Sequence, residues 1–502
     1  MNSDISMEFN LASFSLYSRK GTIHLNPDQS SQSDEKKTHY ITLRHFIISI
    51  FITIILTLLV TSSLFYLYIQ YNQQNQVQAN SQKLSKVYEL IANDYYKKQD
   101  KDDLVNQAIK GMTNSLHDPY TEYLTKEETD SFNENISGDF VGIGAEMEQK
   151  GDKIYIATPL KDSPAEKAGL KPKDELVKID NKSIKGQKLS AIIPKVRGKK
   201  GSEVQLTIQR NNDQKTFSIK RDTVHVESVK HEKHQGVDVF KISKFQQGTS
   251  GELKLAIQDA LQKGSKHIIL DLRNNPGGLL DEAVKMANIF LEKDQVVVQL
   301  EKDGQNEKIR TSNAPLKNID QVNVSILLNK GSASASEVFA GALKDHKIAQ
   351  IYGETSFGKG IVQTTREFSD GSLLKFTEMK WLTPHHHYIH NKGIAPDVQI
   401  KGAAYEDIKE IPNDQVFKLG DDNVNVRSIK IGLKALNYDI NNLNNFYDES
   451  LEQAVISFQK QNNIPVNGEF DSETNRAFIE QLVQKSSKED SVLDKMIQKL
   501  KS

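Results

Sequence analysis

Cysteine is absent from this chain of 502 residues, which removes a disulfide framework, a thiolate metal site and a cysteine nucleophile at once. A dominant charge is missing too. Lys+Arg 65 against Asp+Glu 66 leave a formal net charge of -1, so no global field draws the protein to nucleic acid or to an acidic substrate, and partners must be recognised at local sites. Lys359 sits between glycines but lacks the Gly-x-x-x-x-Gly-Lys-[Ser/Thr] surroundings of a phosphate loop. What the chain does have is length: at about 100 to 200 residues per domain it holds roughly three.

From Phe46 to Ile69 run 24 consecutive uncharged residues, mostly Ile, Leu, Phe and Val. As a helix they span a bilayer core of about 30 Å. A secretory signal would have a shorter apolar core and a small-residue cleavage site, and neither is present. Lys36, Lys37 and Arg44 precede the run, whereas the first basic residue after it is Lys83. The positive-inside bias therefore predicts a cell membrane protein with one pass at 46–69, a cytoplasmic tail at 1–45 that is polar and mostly disordered, and everything after about residue 70 outside.

Beyond a Gln/Asn-rich linker expected at 70–81, Leu84, Val87, Tyr88 and Ile91, then Leu104, Ala108, Ile109 and Met112, recur at helical spacing. They predict an N-terminal helical segment over 82–135, with a turn at His117-Asp118-Pro119. Residues 136–222 alternate in short apolar and polar runs between Gly, Asn and Asp clusters, a small β-rich module. Residues 223–402 alternate strand and helix patterns. Ile268-Ile269-Leu270-Asp271-Leu272 reads as a buried strand before the Pro276-Gly277-Gly278 turn, and Val324 to Leu328 repeats the pattern, which gives an α/β core. Residues 414–484 carry helical periodicity at Val426, Ile429, Leu433, Leu451, Val455 and Phe458, a small α-helical domain, and 485–502 read as a charged tail, a solvated helix or disordered. The fold class expected is thus multidomain: one transmembrane helix, a β-rich module, an α/β core and a small helical C-terminal domain.

Residues 331–337, Gly-Ser-Ala-Ser-Ala-Ser-Glu, open a helix. Helix starts offer unpaired amides and partial positive charge, so a serine there holds its hydroxyl beside donors for a tetrahedral oxyanion. Ser334-Ala335-Ser336-Glu337 also fits a capping box, and taken alone the cap is the better reading. The second element is Lys359. A free lysine, with pKa about 10.4, cannot accept a proton at neutral pH, but burial lowers that value by up to about 3 to 5 units. A buried lysine beside a serine can then serve as general base without histidine. Gln363, four residues on, falls on the same face if the segment is a strand, and can orient the amine. At Pro276-Gly277-Gly278 backbone without side chains can approach a substrate carbonyl, and one amide of Gly277 or Gly278 with that of Ala335 would make an oxyanion hole.

Together, Leu270-Asp271-Leu272-Arg273-Asn274-Asn275-Pro276-Gly277-Gly278, Ser332 to Glu337, Gly353 to Gly360 and Gly393-Ile394-Ala395-Pro396-Asp397 resemble, in order, the landmarks of carboxy-terminal processing (tail-specific) serine peptidases. The resemblance implies Ser334 as nucleophile, Lys359 as base, Gln363 as a third member, and Asp345 as a relay. Physics argues against direct contact by Asp345, which lies roughly 16 Å along one helix from Ser334. The β-rich module resembles PDZ domains through Phe140 to Glu146 and Ser163 to Leu170. That implies that Gly142, Ile143 and Gly144 offer amides to a peptide carboxylate, with substrates chosen by apolar C-termini. Arg197 resembles a position coupling peptide binding to activation, and is equally readable as an ordinary surface arginine. Leu436-Asn437-Tyr438, Ala454 to Gln459 and Val466 to Thr474 resemble a peptidoglycan-binding domain. His385-His386-His387 with His390 has no carboxylate at ligand spacing, so no metal is expected, and no cofactor is implied. The function expected is an endopeptidase acting on extracytoplasmic proteins. Its rival is a non-catalytic cell-wall scaffold that holds protein C-termini and peptidoglycan.

Overall fold

The computed structural model describes residues 43–501, so the tail expected at 1–45 lies, up to residue 42, outside the described residues. The chain divides into two units, Met1–Lys101 and Asp102–Ser502.

In the first unit a single helix, Leu43–Asp94, takes in both the apolar run and the stretch expected as a linker at 70–81. It contains no Gly or Pro, and its Gln, Leu, Lys and Ala residues favour helix, so nothing in the sequence stops it. The large apolar side chains from Phe46 to Tyr71 are exposed. Ser49, Thr53, Thr57 and Thr61 donate their hydroxyls to carbonyls of the preceding turn, at 2.7 to 2.8 Å. Those four hydroxyls are thereby satisfied within the helix itself.

The second unit begins with the helix Lys101–Asn114 and a loop leading to the short strand Glu122–Leu124 and the helix Lys126–Ser137. The β-rich module follows. Its sheet runs in the order Ala145–Lys150, Lys153–Pro159, Glu175–Ile179, Glu203–Arg210, Asp213–Lys220, which leaves Ala145–Lys150 at a free edge. A ribbon pairing Asp139–Gly142 with Asp222–His225 closes the module where the chain enters and leaves it.

The α/β core holds a six-stranded sheet ordered Val229–His234, Val237–Ile242, His267–Asp271, Asn323–Leu328, Ala349–Gly353, Val398–Gln399, parallel after its first pair. Side chains alternate across it. Phe240, Ile268, Leu270 and Ile326 meet the helices Thr249–Gln262, Leu280–Ala287 and Ala335–Asp345 on one face, and Val239, Ile269 and Leu327 point to the other. Beyond the helices lies an antiparallel sheet built on the long strand Leu373–Leu382, which pairs with Ile361–Glu367 and Val296–Lys302. Glu122–Leu124 also pairs with it, in the register Glu122↔Lys375. The segment 82–135, expected to be helical, thus contributes a strand to the core sheet.

The C-terminal domain forms as expected, from helices Val424–Ala435, Glu449–Gln461 and Ser472–Lys488 around Val426, Ile429, Leu433, Leu451, Val455 and Phe458. The tail, expected over 485–502 as a solvated helix or disordered, is helical but not solvated. Ser491–Lys501 is a helix that buries Leu493, Met496 and Ile497 against Val239, Ile269 and Leu327 on the open face of the parallel sheet. Its apolar residues recur at helical spacing among lysines, so its charge hid its amphipathicity. Just before it, Asp490 receives both terminal nitrogens of Arg273, at 2.8 and 2.5 Å, while Arg273 also grips Asp271. Leu493→Ala is expected to lower the stability of the α/β core by about 2–4 kcal/mol in denaturant titrations of the full chain. A solvated tail would show a change within about 0.5 kcal/mol.

Candidate active site

The strand Asn323–Leu328 leads through a loop into the helix Ala335–Asp345, and three serines mark the junction. Ser332 is buried, donating its hydroxyl to the Leu272 carbonyl at 2.8 Å and accepting from the Asn329 N–H at 3.0 Å. Ser336 is buried as well and donates to the Asn275 carbonyl at 3.0 Å. Ser334 alone of the three is partly exposed. Its backbone has φ 57 and ψ -116, a conformation that costs a non-glycine residue on the order of 1–3 kcal/mol and persists only where surroundings impose it.

Glu337 imposes it. The Glu337 carboxylate accepts from the Ser334 N–H at 2.8 Å, the half of a capping box that reaches back to the residue before the helix, while the Glu337 N–H donates to the Ser334 carbonyl. The same buried carboxylate also accepts from the Lys359 N–H at 2.8 Å, the Gly358 N–H at 2.6 Å and the Ser356 hydroxyl at 2.6 Å. One oxygen, Oε2, therefore receives the backbone amides of both Ser334 and Lys359, which places those nitrogens within two hydrogen-bond lengths of each other. Sequence reading found Glu337 only as a cap. Its larger role needed the fold.

Lys359 precedes the strand Ile361–Glu367, and Trp381 fixes its carbonyl through the indole N–H at 2.9 Å. A side chain at Gly360 would collide with His390, so the chain behind the lysine permits only glycine there. Burial lowers the Lys359 pKa and the nearby Lys375 lowers it further, against the opposing charges of Asp118, Glu337 and Glu122. Its amine lies 4.7 Å from the centre of the Tyr120 ring. Asp118 and Tyr120 come from the turn at His117-Asp118-Pro119, which sequence reading treated only as a turn. Among the described residues no hydrogen bond joins the Ser334 hydroxyl to the Lys359 amine, or Gln363 to either. Gln363 sits opposite Thr377 with its amide nitrogen buried and unpartnered. Because the strand starts only at Ile361, strand alternation does not by itself carry Gln363 to the lysine.

The turn at residues 274–278 packs against the serine. Gly277 and Gly278 have φ 100 and 144, and a Cβ on Gly277 would lie 2.9 Å from the Ala335 nitrogen. The Gly277 N–H donates to Asn275 Oδ1 at 2.9 Å. The N–H groups of Gly278 and Ala335 have no partner among the described residues. Asp345 stands at the far end of the helix and accepts from the His385 N–H at 2.8 Å, a contact within the histidine loop. No group of three or more metal-ligating side chains occurs among the described residues.

In the β-rich module the N–H groups of Ile143 and Gly144 are likewise unpartnered among the described residues, while their carbonyls accept from Ala165 and Leu160. With Phe140, Met147, Ile193 and Val196 they line a groove between the free edge strand and the helix Leu189–Val196. Arg197, at the groove's end, meets Glu134 of the helix Lys126–Ser137 at 2.5 Å and lies over the Phe140 ring at 5.0 Å. It is a bridge between the module and the segment that feeds the core sheet.

Four family models match the chain: the Activating protease CtpB N-terminal domain over residues 63–129, a PDZ domain over 141–220, Peptidase family S41 over 237–400 and a peptidoglycan binding domain over 422–478. Relatives described as probable CtpA-like serine proteases include one from Staphylococcus epidermidis, 53% identical over 94% of this chain and 97% of that protein. Another, from Staphylococcus aureus, is 54% identical over 95% of this chain and 96% of that protein. A solved photosystem II D1 C-terminal processing protease is 28% identical over 63% of this chain and 86% of that one, with a TM-score of 0.39, a likeness too loose to carry an argument.

An amide at position 337 offers one acceptor oxygen where the carboxylate offers two. Glu337→Gln is therefore expected to slow labelling of the full chain by a fluorophosphonate by about 100-fold, the scale on which small misplacements act. An unchanged labelling rate would remove Glu337 from the site's architecture.

Proposed function

The chain belongs to peptidase family S41, as a CtpA-like serine protease, and from that premise we propose that Ser334 and Lys359 form its catalytic pair. The observation that carries this reading is the Glu337 carboxylate shared by their two backbone amides. Ser334 Oγ attacks the carbonyl carbon of a peptide bond while its proton passes to the neutral Lys359 amine. The Ala335 and Gly278 N–H groups, free of other partners among the described residues, receive the developing oxyanion. Gly277, whose N–H is held by Asn275, serves by leaving room for the substrate. Lys359 returns the proton to the departing amine, then takes one from the water that attacks the acyl ester and passes it to Ser334 Oγ as the C–O bond breaks, which restores the hydroxyl and the neutral amine. Gln363, whose buried amide nitrogen has no partner among the described residues, is the third member that orients the amine, and Asp345 keeps the histidine loop in place rather than relaying a proton.

Substrates are proteins with apolar C-termini. A tail adds as a strand to the free edge Ala145–Lys150, its carboxylate meeting the amides of Ile143 and Gly144 beside Gly142, its last side chain entering the apolar groove. Arg197 passes that event to the core through Glu134. The helix Leu43–Asp94 anchors the enzyme in the cell membrane with its N-terminus cytoplasmic, as its exposed apolar surface and basic leading flank support, so that substrates are met outside. The C-terminal domain holds the enzyme to peptidoglycan.

Digestion of an unfolded protein with an apolar tail tests the pair. Ser334→Ala, Lys359→Ala and Lys359→Arg are each expected to lose at least about 1,000-fold in kcat/KM, the last because a guanidinium does not deprotonate. Equal digestion by wild type and variants would place the chemistry elsewhere. The ascending limb of kcat/KM against pH should fall below the ordinary lysine value of 10.5, since the base acts once neutral and its pKa is lowered.

A further inference from the structure

The segment from Asp118 to Leu124 precedes the PDZ module by sequence yet lies against the catalytic lysine. Its strand Glu122–Leu124 pairs with Leu373–Leu382, the strand that also carries Thr377 and Lys375. Asp118 is fixed from several sides. Its Oδ2 accepts from the hydroxyls of Thr121 at 2.7 Å and Thr377 at 2.6 Å, and its Oδ1 accepts from the Tyr120 N–H at 3.0 Å. Burial pushes its carboxyl pKa up, but those hydrogen bonds and the charge of Lys359 outweigh it and hold the group ionised. The ring of Tyr120, two residues on, lies 4.7 Å from the lysine amine. Thr377, which Asp118 grips, is the register partner of Gln363.

We propose that Tyr120 and Asp118 are positioning residues that hold the Lys359 amine when it is protonated and set the pH at which it becomes a base. This rests on the assignment of Lys359 as general base. An aromatic face and a carboxylate both stabilise an ammonium over a neutral amine. The other charged groups facing Lys359 are already committed. Glu337 is shared among four donors, and Glu122 is paired with Lys375 at 2.5 Å, leaving Lys375 as the opposing cation. Asp118 and Tyr120 thus belong neither to the Glu337 network nor to the Glu122–Lys375 pair.

The sign is fixed. Removing the ring or the carboxylate weakens the ammonium, so the amine becomes neutral at lower pH and the ascending limb moves down. The test is the pH dependence of fluorophosphonate labelling of Ser334 in the full chain in detergent micelles. Tyr120→Leu is expected to move the limb down by roughly half a unit, and Asp118→Asn by roughly a unit, while Tyr120→Phe, which keeps the ring, leaves it in place. A merely structural role would lower the rate at every pH and leave the limb unmoved. A limb unmoved in both Tyr120→Leu and Asp118→Asn, with Lys359→Ala unreactive, overturns the positioning role alone. Labelling of Lys359→Ala at the wild-type rate and profile overturns instead the assignment of Lys359 as base.

Discussion

The carboxylate of Glu337, buried and receiving four donors, is the constraint on which the rest of the site depends. A buried charge is tolerable only when its lone pairs are filled, and here they are filled by the groups whose placement matters: the amide of the serine, the amide of the lysine, and the loop between them. The carboxylate converts two segments some 25 residues apart in sequence into one unit. It also holds Ser334 in a backbone conformation that it would not adopt unaided.

Around that centre the neighbouring polar groups act as fasteners. Ser332 and Ser336 tie the serine loop to the strand end at Leu272 and to Asn275. Asn275 in turn donates to the Ile242 carbonyl and accepts from Gly277, so the turn that faces the serine is locked to a third strand. Ser356 accepts from the Ile394 N–H at 2.7 Å, which brings the Gly393-Ile394-Ala395-Pro396-Asp397 landmark into the same network. The repeated serines are unequal for a physical reason. Two are consumed by buried hydrogen bonds, and only the middle residue is left partly exposed.

Much of this was legible in the residues themselves. Ile268 to Leu272 and Val324 to Leu328 are apolar on both faces and became parallel strands, and the Ser334–Glu337 spacing announced a helix start that the fold contains. What escaped was long-range. The four-residue spacing of Lys359 and Gln363 suggested a shared strand face, but the strand begins after the lysine. The turn at Asp118 carries no sign in its own composition that Tyr120 ends beside Lys359, because strand pairing with residues 373–375 puts it there. Charge along Ser491–Lys501 concealed an apolar stripe that a sheet face was waiting to cover. Local pattern reports propensity and amphipathicity, whereas a site assembled from four segments is reported only by the fold.

The most direct test of the central claim is a crystal structure of the enzyme with a peptidyl boronate bound to Ser334. The account predicts the Lys359 amine within about 3.2 Å of Ser334 Oγ, the boronate oxygen between the Ala335 and Gly278 N–H groups, and Glu337 still bonded to both backbone amides. An amine that stayed beyond hydrogen-bond reach of the serine in that complex would contradict it.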